Sequence, residues 1–246
     1  MTRFANPKKF YNLSQKLIPI LGITTLLFFA IGLYFALFHS PADYQQGESV
    51  RMMYIHVPAA WFSTLIFVFM ATMSGVAFVW RHPLADLLAQ EAALIGAIYT
   101  SIALITGSLW GKLAWGAYWV WDARLTSVLI LLFLYIAYLA LKQSMQDKPI
   151  ASKMLRLLAL IGLLNIPIIK GSVQWWTTLH QPPSIIRSLG ISIHMSMLIP
   201  LLLMAAAFGL FFLTILLMRT QTRLLNIKTI ALLKKQDQLD DPSLAA

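Results

Sequence analysis

Residues 191–218 read ISIHMSMLIPLLLMAAAFGLFFLTILLM, an apolar run without one Asp, Glu, Lys or Arg. A helix needs ~20 mostly apolar residues to cross the hydrocarbon of a bilayer, so this stretch predicts a membrane span. Working outward, five more stretches pass the same test: 17–38, 57–80, 87–109, 125–141 and 157–173. Pro7 and Pro19 flank the entry to the first, and Arg81-His82-Pro83 is too short a connection to hold a domain. The composition agrees. Of 246 residues, 59% are hydrophobic and only 11% charged, with mean hydropathy +0.73, against ~25% charged in a soluble domain. So few charges cannot coat a water-facing surface of that size. Disorder, a secreted disulfide scaffold and a collagen-like repeat are excluded, and the expected fold is an all-α integral membrane protein with six transmembrane helices.

The chain has no cysteine, so disulfides, thiolate metal sites and a cysteine nucleophile are out of reach. A net charge of +10 suggests nucleic acid until its placement is read. The cations stand at the ends of apolar runs, which is an orientation signal and not a basic face for phosphates. Arg3, Lys8, Lys9, Lys16, Arg81, Lys142, Lys148, Lys153, Arg156, Arg219, Arg223, Lys228, Lys234 and Lys235 fall on one side, fourteen of the nineteen Lys and Arg. Arg51, Lys112, Arg124, Lys170 and Arg187 fall on the other. The positive-inside rule then places both termini in the cytoplasm and turns loops 39–56, 110–124 and 174–190 outward. No cleavable signal peptide is expected, since the first apolar run is long and lacks a small-x-small cleavage site. Residues 221–235 alternate Leu/Ile with Lys/Arg and read as a short amphipathic helix before an acidic end.

The outer loops hold what membrane spans do not need. Loop 110–124 reads WGKLAWGAYWVWDAR and holds four of the eight tryptophans. If extended, Trp115, Trp119 and Trp121 share a face; if helical, Trp115 and Trp119 form an i, i+4 pair. Either way the loop builds an apolar shelf at the membrane edge. An aromatic belt scatters one or two rings per span end, whereas these rings form a contiguous slab.

Three histidines stand on the outer side, His39, His56 and His180, and His194 lies about a turn inside the last span. His82, in the Arg-His-Pro turn, reads as solvated. His56 precedes Val57-Pro58 at the N-terminal edge of the second span, where a helix N-terminus disfavours imidazolium and keeps the ring fit for a metal. His180 follows Trp175-Trp176 and precedes Pro182-Pro183; a helical turn there would put Trp176 and His180 on one face. Two histidines flanking an aromatic slab suit haem, which asks for axial ligands and a flat apolar surround. Zinc could use both histidines, but it wants four ligands in a small cage and has no need of indoles.

The run Trp110-Gly-Lys, then Trp115-Gly-Ala-Tyr-Trp-Val-Trp-Asp-Ala-Arg-Leu-Thr-Ser127, resembles the tryptophan-rich WWD signature of haem-handling membrane proteins. Tyr54-Ile-His56-Val-Pro-Ala-Ala60 and Trp175-Trp176-Thr-Thr-Leu-His180-Gln are similar to the histidine segments that flank it, and Pro41-Ala-Asp-Tyr-Gln-Gln-Gly47 and Asn165-Ile-Pro-Ile-Ile169 fit as well. With six spans, the likeness covers nearly the whole chain and points to the haem exporter protein C family of the cytochrome c maturation system I. The resemblance implies that haem b, as transported ligand, is bound at the outer face of the bacterial inner membrane and delivered to a periplasmic haem chaperone. It also implies an ATP-binding-cassette ATPase and permease, and a small single-span membrane subunit, as partners. Carried over by residue, the axial ligands are His56 and His180, and the platform is Trp110, Trp115, Tyr118, Trp119, Trp121 and Asp122. Tyr118 departs from the pattern, standing where a second adjacent Trp is expected. The chain then divides into a six-span haem-handling domain, 1–220, with its WWD loop at 110–127, and a cytoplasmic amphipathic tail, 221–246.

Haem propionates at a membrane edge want cations. Arg124 is the one attached to the slab, and its planar guanidinium can grip a carboxylate bidentately; Arg51 and Lys112 are the other candidates. Asp122 suits both an N-cap of the fourth span and support of the site. Glu91, inside the third span, marks function or a buried pair by default; its place near the cytoplasmic end favours snorkelling or contact with a partner subunit. Met52 and Met53 lie near His56, and Gly107 and Gly111 are spaced for close helix approach. His39 and His194 match no family segment. Two rival classes are a permease subunit, which would need charged or broken-helix sites near the midplane, and a structural anchor without a cofactor. No nucleophile–base pair or phosphate-binding loop is visible, so no enzymatic activity is expected.

Overall fold

The computed structural model describes residues 6–145, 150–180 and 193–240. Seven α-helices follow one another there: α1 Pro7–Tyr34, α2 Met53–Trp80, α3 Pro83–Trp115, α4 Ala123–Ser144, α5 Ala151–Gly162, α6 Asn165–Trp175 and α7 Met195–Asp240. A π-helical turn, Phe35–His39, extends α1, and a 3-10 turn, Glu48–Met52, leads into α2. Six helical units are long and apolar enough to cross a membrane, with α5 and α6 together making the fifth. The chain is an all-α bundle of six long apolar units. Arg3, Lys148, Pro182, Pro183 and Arg187, all used in the sequence reading, lie outside the described residues.

Hydrophobicity cannot by itself drive helices together in lipid, so close approach and hydrogen bonds must do so. Helices α2 and α3 form the most extensive pair, and α1 runs along α7. Ala59, Ala71, Ala89, Ala92 and Ala93 are buried where these helices meet. The fully buried tyrosines stitch helix to helix: Tyr99 donates to the Phe208 carbonyl (2.7 Å) and Tyr135 to that of Ser63 (2.8 Å). Leu26, Phe38 and Trp80, by contrast, are more than two-thirds exposed (71%, 74% and 71%), as lipid-facing side chains would be.

The bundle itself departs from the sequence reading in several places. Helix α3 runs on to Trp115 and stops where Gly116 takes a left-handed φ of 78°, so Trp110 and Trp115 rise from a helix and the irregular segment starts only at 116. The fifth unit breaks at Leu163-Leu164, because Pro167 in the first turn of α6 has no N–H to return to the Leu163 carbonyl; Leu164 and Ile166 donate three residues back instead. Asn165 anchors the break by donating to the Ser127 carbonyl, 2.9 Å. The tail is no separate short helix: α7 continues through it without interruption for 46 residues, about 69 Å at ~1.5 Å per residue. Glu91, 5% exposed, neither snorkels nor awaits a partner; it bonds Lys142 on α4 and Arg219 on α7, each at 2.8 Å.

Candidate functional site

The end of α1, the start of α2, the end of α3, the start of α4 and the end of α6 gather at one end of the bundle, and the expected site residues gather with them. His56 lies in the first turns of α2, past the 3-10 turn, so the span begins earlier than expected. Its Nδ1 sits 3.0 Å from the Ala103 carbonyl and 3.2 Å from the Thr106 hydroxyl. A carbonyl only accepts, so Nδ1 carries the proton and Nε2 is left with its lone pair, which is how a metal-ready imidazole is oriented. Gly107 makes this possible: a Cβ there would lie 2.8 Å from His56 Cε1.

His180 is reached differently. Helix α6 ends at Trp175 and Trp176 is extended (φ −131°, ψ 154°), so no helical turn sets Trp176 and His180 on one face, contrary to the sequence reading. Instead Asp122 fixes the segment. Its Oδ1 accepts from the Leu125 N–H (2.7 Å) as the N-cap of α4, and its Oδ2 accepts from the Thr178 hydroxyl. The Thr178 oxygen in turn accepts from the His180 N–H at 3.1 Å. The capping use foreseen for Asp122 is met, and the same carboxylate ties down the segment that carries His180.

The result is a row of rings. The centroids of His56 and His180 are 6.4 Å apart with planes 34° from parallel. Trp110 meets His56 edge-on at 5.7 Å, and Trp115 meets His180 edge-on at 6.1 Å. Trp110 is itself pinned, donating Nε1 to Gln46 Oε1 at 2.8 Å. Beyond the row, Trp119 and Trp121 pack edge-on at 5.4 Å, with Trp121 76% and Tyr118 59% exposed. Trp119 Nε1 is buried without a hydrogen-bond partner among the described residues. Lys112 donates to the Gly116 carbonyl (2.9 Å) and lies over the Tyr118 ring. Arg51 is engaged by Glu48 and by the Ala36 carbonyl, 2.6 Å. Arg124 uses Nε on Ser172 Oγ (2.8 Å), makes no Nη hydrogen bond among the described residues, lies within electrostatic reach of the Asp122 carboxylate, and stands near enough for its charge to reach His56.

Among the described residues there is no cluster of three or more His, Cys, Asp or Glu that could hold a metal ion. Two imidazoles with centroids 6.4 Å apart are a different arrangement. A metal ion held at ~2.0 Å by one nitrogen on each side sets ring centroids about 6 Å apart, close to the spacing seen.

The family model "Heme exporter protein C" matches residues 1–235. The chain belongs to the heme exporter protein C family. It is 51% identical over 211 residues to "Heme exporter protein C" of Bradyrhizobium diazoefficiens, covering 86% of this chain and 80% of that protein. It is 46% identical over 179 residues to the Escherichia coli K12 protein of the same name, 73% of each chain. A "putative cytochrome c biosynthesis ccmC-like mitochondrial protein" of Marchantia polymorpha is 51% identical over 185 residues, 75% of this chain and 77% of that one. Members of the heme exporter protein C family are non-catalytic, multi-pass inner-membrane proteins of haem handling in cytochrome c maturation. The sequence reading missed Gly107 as the floor beneath His56 and the Thr178 link from Asp122 to His180. The glycine was visible in sequence only as a small residue, and its partner lies on another helix.

Proposed function

We propose that the chain holds haem b as cargo between His56 and His180, at the outer face of the inner membrane, and delivers it to a periplasmic haem chaperone during c-type cytochrome maturation. The observation that carries the reading is the 6.4 Å spacing of the two imidazoles, with His56 Nδ1 turned to the Ala103 carbonyl and Nε2 therefore the nitrogen left to ligate. The surround supports it. Trp110 and Trp115 wall the histidine pair, and a flat apolar macrocycle is stabilised by aromatic walls. Arg124 offers a propionate two Nη groups that make no hydrogen bond among the described residues, whereas Arg51 and Lys112 are spoken for by backbone carbonyls and neighbours. The exposed rings of Tyr118 and Trp121 give a chaperone an apolar surface to dock on during hand-over.

In this reading both termini are cytoplasmic, on the strength of the fourteen-to-five division of Lys and Arg. Residues 1–220 form the haem-handling membrane domain and 221–246 the cytoplasmic tail. The chain carries no phosphate-binding loop, so an ATP-binding-cassette ATPase and permease, with a small single-span subunit, supply the energy of the cycle. The test is the absorption spectrum of purified protein supplied with haem. Wild type should show a six-coordinate Soret spectrum; His56→Ala or His180→Ala should lose it, and added imidazole should partly restore it by refilling the open axial position. A wild-type spectrum in both variants would overturn the assignment.

A further inference from the structure

The opposite end of the bundle carries a cavity that the haem site does not use. It has a volume of about 600 Å³ and opens where α2 ends, α3 and α5 begin and α4 ends, beside the middle of α7. Four cations line it, Arg81, Lys142, Arg156 and Arg223, against one carboxylate, Asp86. Two of the four are committed: Lys142 to Glu91 and Arg156 Nε to Asp86, at 2.7 Å. Arg81 and Arg223 have no hydrogen-bond or ion-pair partner among the described residues. Arg223 also lines an adjoining cavity of about 340 Å³ with Glu91 and Arg219.

Two further features turn the cavity toward an anion. Arg81 is the only non-glycine among the described residues with positive φ, 50°. It ends α2 in the left-handed conformation that glycine adopts at no steric cost. An arginine there accepts backbone strain, and the same residue lines the cavity. Ala151 and Ser152, also in the lining, open α5 behind Ile150, which has no polar side chain to cap the helix. Among the described residues no side chain caps that first turn, and uncapped N–H groups at a helix start suit an anion. The rest of the wall is apolar, with Leu87, Leu155 and Ile227, and the cavity lies at the ends of membrane spans. We propose that it binds the phosphate headgroup of an anionic phospholipid, with Arg81 and Arg223 gripping the phosphate and the apolar wall taking the glycerol end. The basis is the general one for basic pockets between membrane helices. The proposal is independent of the haem assignment.

The test uses the full chain purified in detergent. Phosphatidylglycerol, phosphatidylcholine and inorganic phosphate are added separately, with retained lipid read by native mass spectrometry and Tm by tryptophan fluorescence. Phosphatidylglycerol alone should stay bound and raise Tm. Arg81→Gly should leave lipid-free Tm unchanged or higher, because it relieves the left-handed strain, yet weaken phosphatidylglycerol binding on the order of tenfold through loss of a charged hydrogen-bond pair. Arg223→Gln, at an exposed position, should weaken it similarly. Equal binding of both lipids by wild type, or an undiminished phosphatidylglycerol preference in both variants, would overturn the proposal. A Tm rise of equal size with inorganic phosphate would also overturn it, making the cavity a free-anion site.

Discussion

Gly107→Ala is the sharpest probe of the haem site, because it alters neither a ligand nor a ring. A Cβ at 107 would stand 2.8 Å from His56 Cε1 and 3.3 Å from Nδ1. Carbon–carbon contact is comfortable only from ~3.5 Å, so the imidazole must move by about 0.7 Å, or α2 and α3 must part. The ring has little freedom to do so, held by the Ala103 carbonyl on one edge and Trp110 on another. A metal–nitrogen bond tolerates only ~0.2 Å, so the shift is several times what ligation allows. The lost Nδ1 hydrogen bond costs the fold ~1 kcal/mol and the overpacking ~1–3 kcal/mol, while the displaced Nε2 is what removes haem ligation. Alanine also improves helix propensity by ~1 kcal/mol, which offsets part of the cost to the fold. The expected result is therefore a Tm within a few degrees of wild type and a large loss of the six-coordinate Soret spectrum. Gly75→Ala is the control, since its Cβ would meet only Leu160 Cδ2 at an ordinary 3.7 Å, and it should keep haem. A Gly107→Ala protein with wild-type haem occupancy and spectrum would refute the role given to His56.

Asp122→Ala should lower Tm through a lost N-cap worth ~1 kcal/mol and also reduce haem occupancy, because Thr178 and hence His180 lose their anchor. Asp122→Asn, which keeps an acceptor for Leu125, should retain most of the stability; equal haem loss without any Tm change in Asp122→Ala would show a direct role in binding instead. Glu91→Gln strips the carboxylate from between Lys142 and Arg219. It should destabilise the bundle toward the low end of ~3–5 kcal/mol, since both cations keep some solvent contact, while leaving the haem spectrum unchanged; a drop in haem binding at unaltered Tm would contradict this. Reporters fused at residue 2 and residue 246 should both signal from the cytoplasm and one at Gly47 from outside, and a periplasmic signal from either terminus would reverse the placement of the site.

The membrane class and the number of spans were legible because a bilayer imposes a length and a polarity that a sequence states directly. Span ends were less so. Hydropathy reports where hydrocarbon stops, but α3 keeps its hydrogen bonds until Gly116 permits a left-handed turn, six residues past Trp110. The tail stays helical for a similar reason: no glycine or proline stands between Gly209 and Pro242. The break in the fifth unit had its signal in Pro167, though a proline alone does not say whether a helix kinks or stops. Within the site, each functional residue type was visible, while the links between them were not. Nothing in local spacing says that Thr178 reaches Asp122 or that Gly107 lies under His56, because each pair is joined only by packing of different helices. Glu91 was misread for the same cause: its two partners sit on α4 and α7.

The two histidines are held by unlike means, and that asymmetry suits a carrier. His56 belongs to a long helix, with its tautomer set by the backbone of α3 and its position backed by a glycine; moving it would require α2 and α3, the most extensive helix pair, to separate. His180 stands five residues beyond the end of α6, tied to the bundle through Thr178 and Asp122. A protein that keeps its ligand needs both sides rigid. One that must give it up needs one side to define the geometry and the other, carried on a loop rather than in a packed helix pair, to yield more readily. In the proposed hand-over the His56 side therefore sets where haem sits, and the His180 side, next to the exposed Trp175 and Trp176, is where an incoming chaperone can compete for it. The buried ion clasp of Glu91 at the far end serves the complementary need: it binds α3, α4 and α7 together, so that movement at the site need not spread through the bundle.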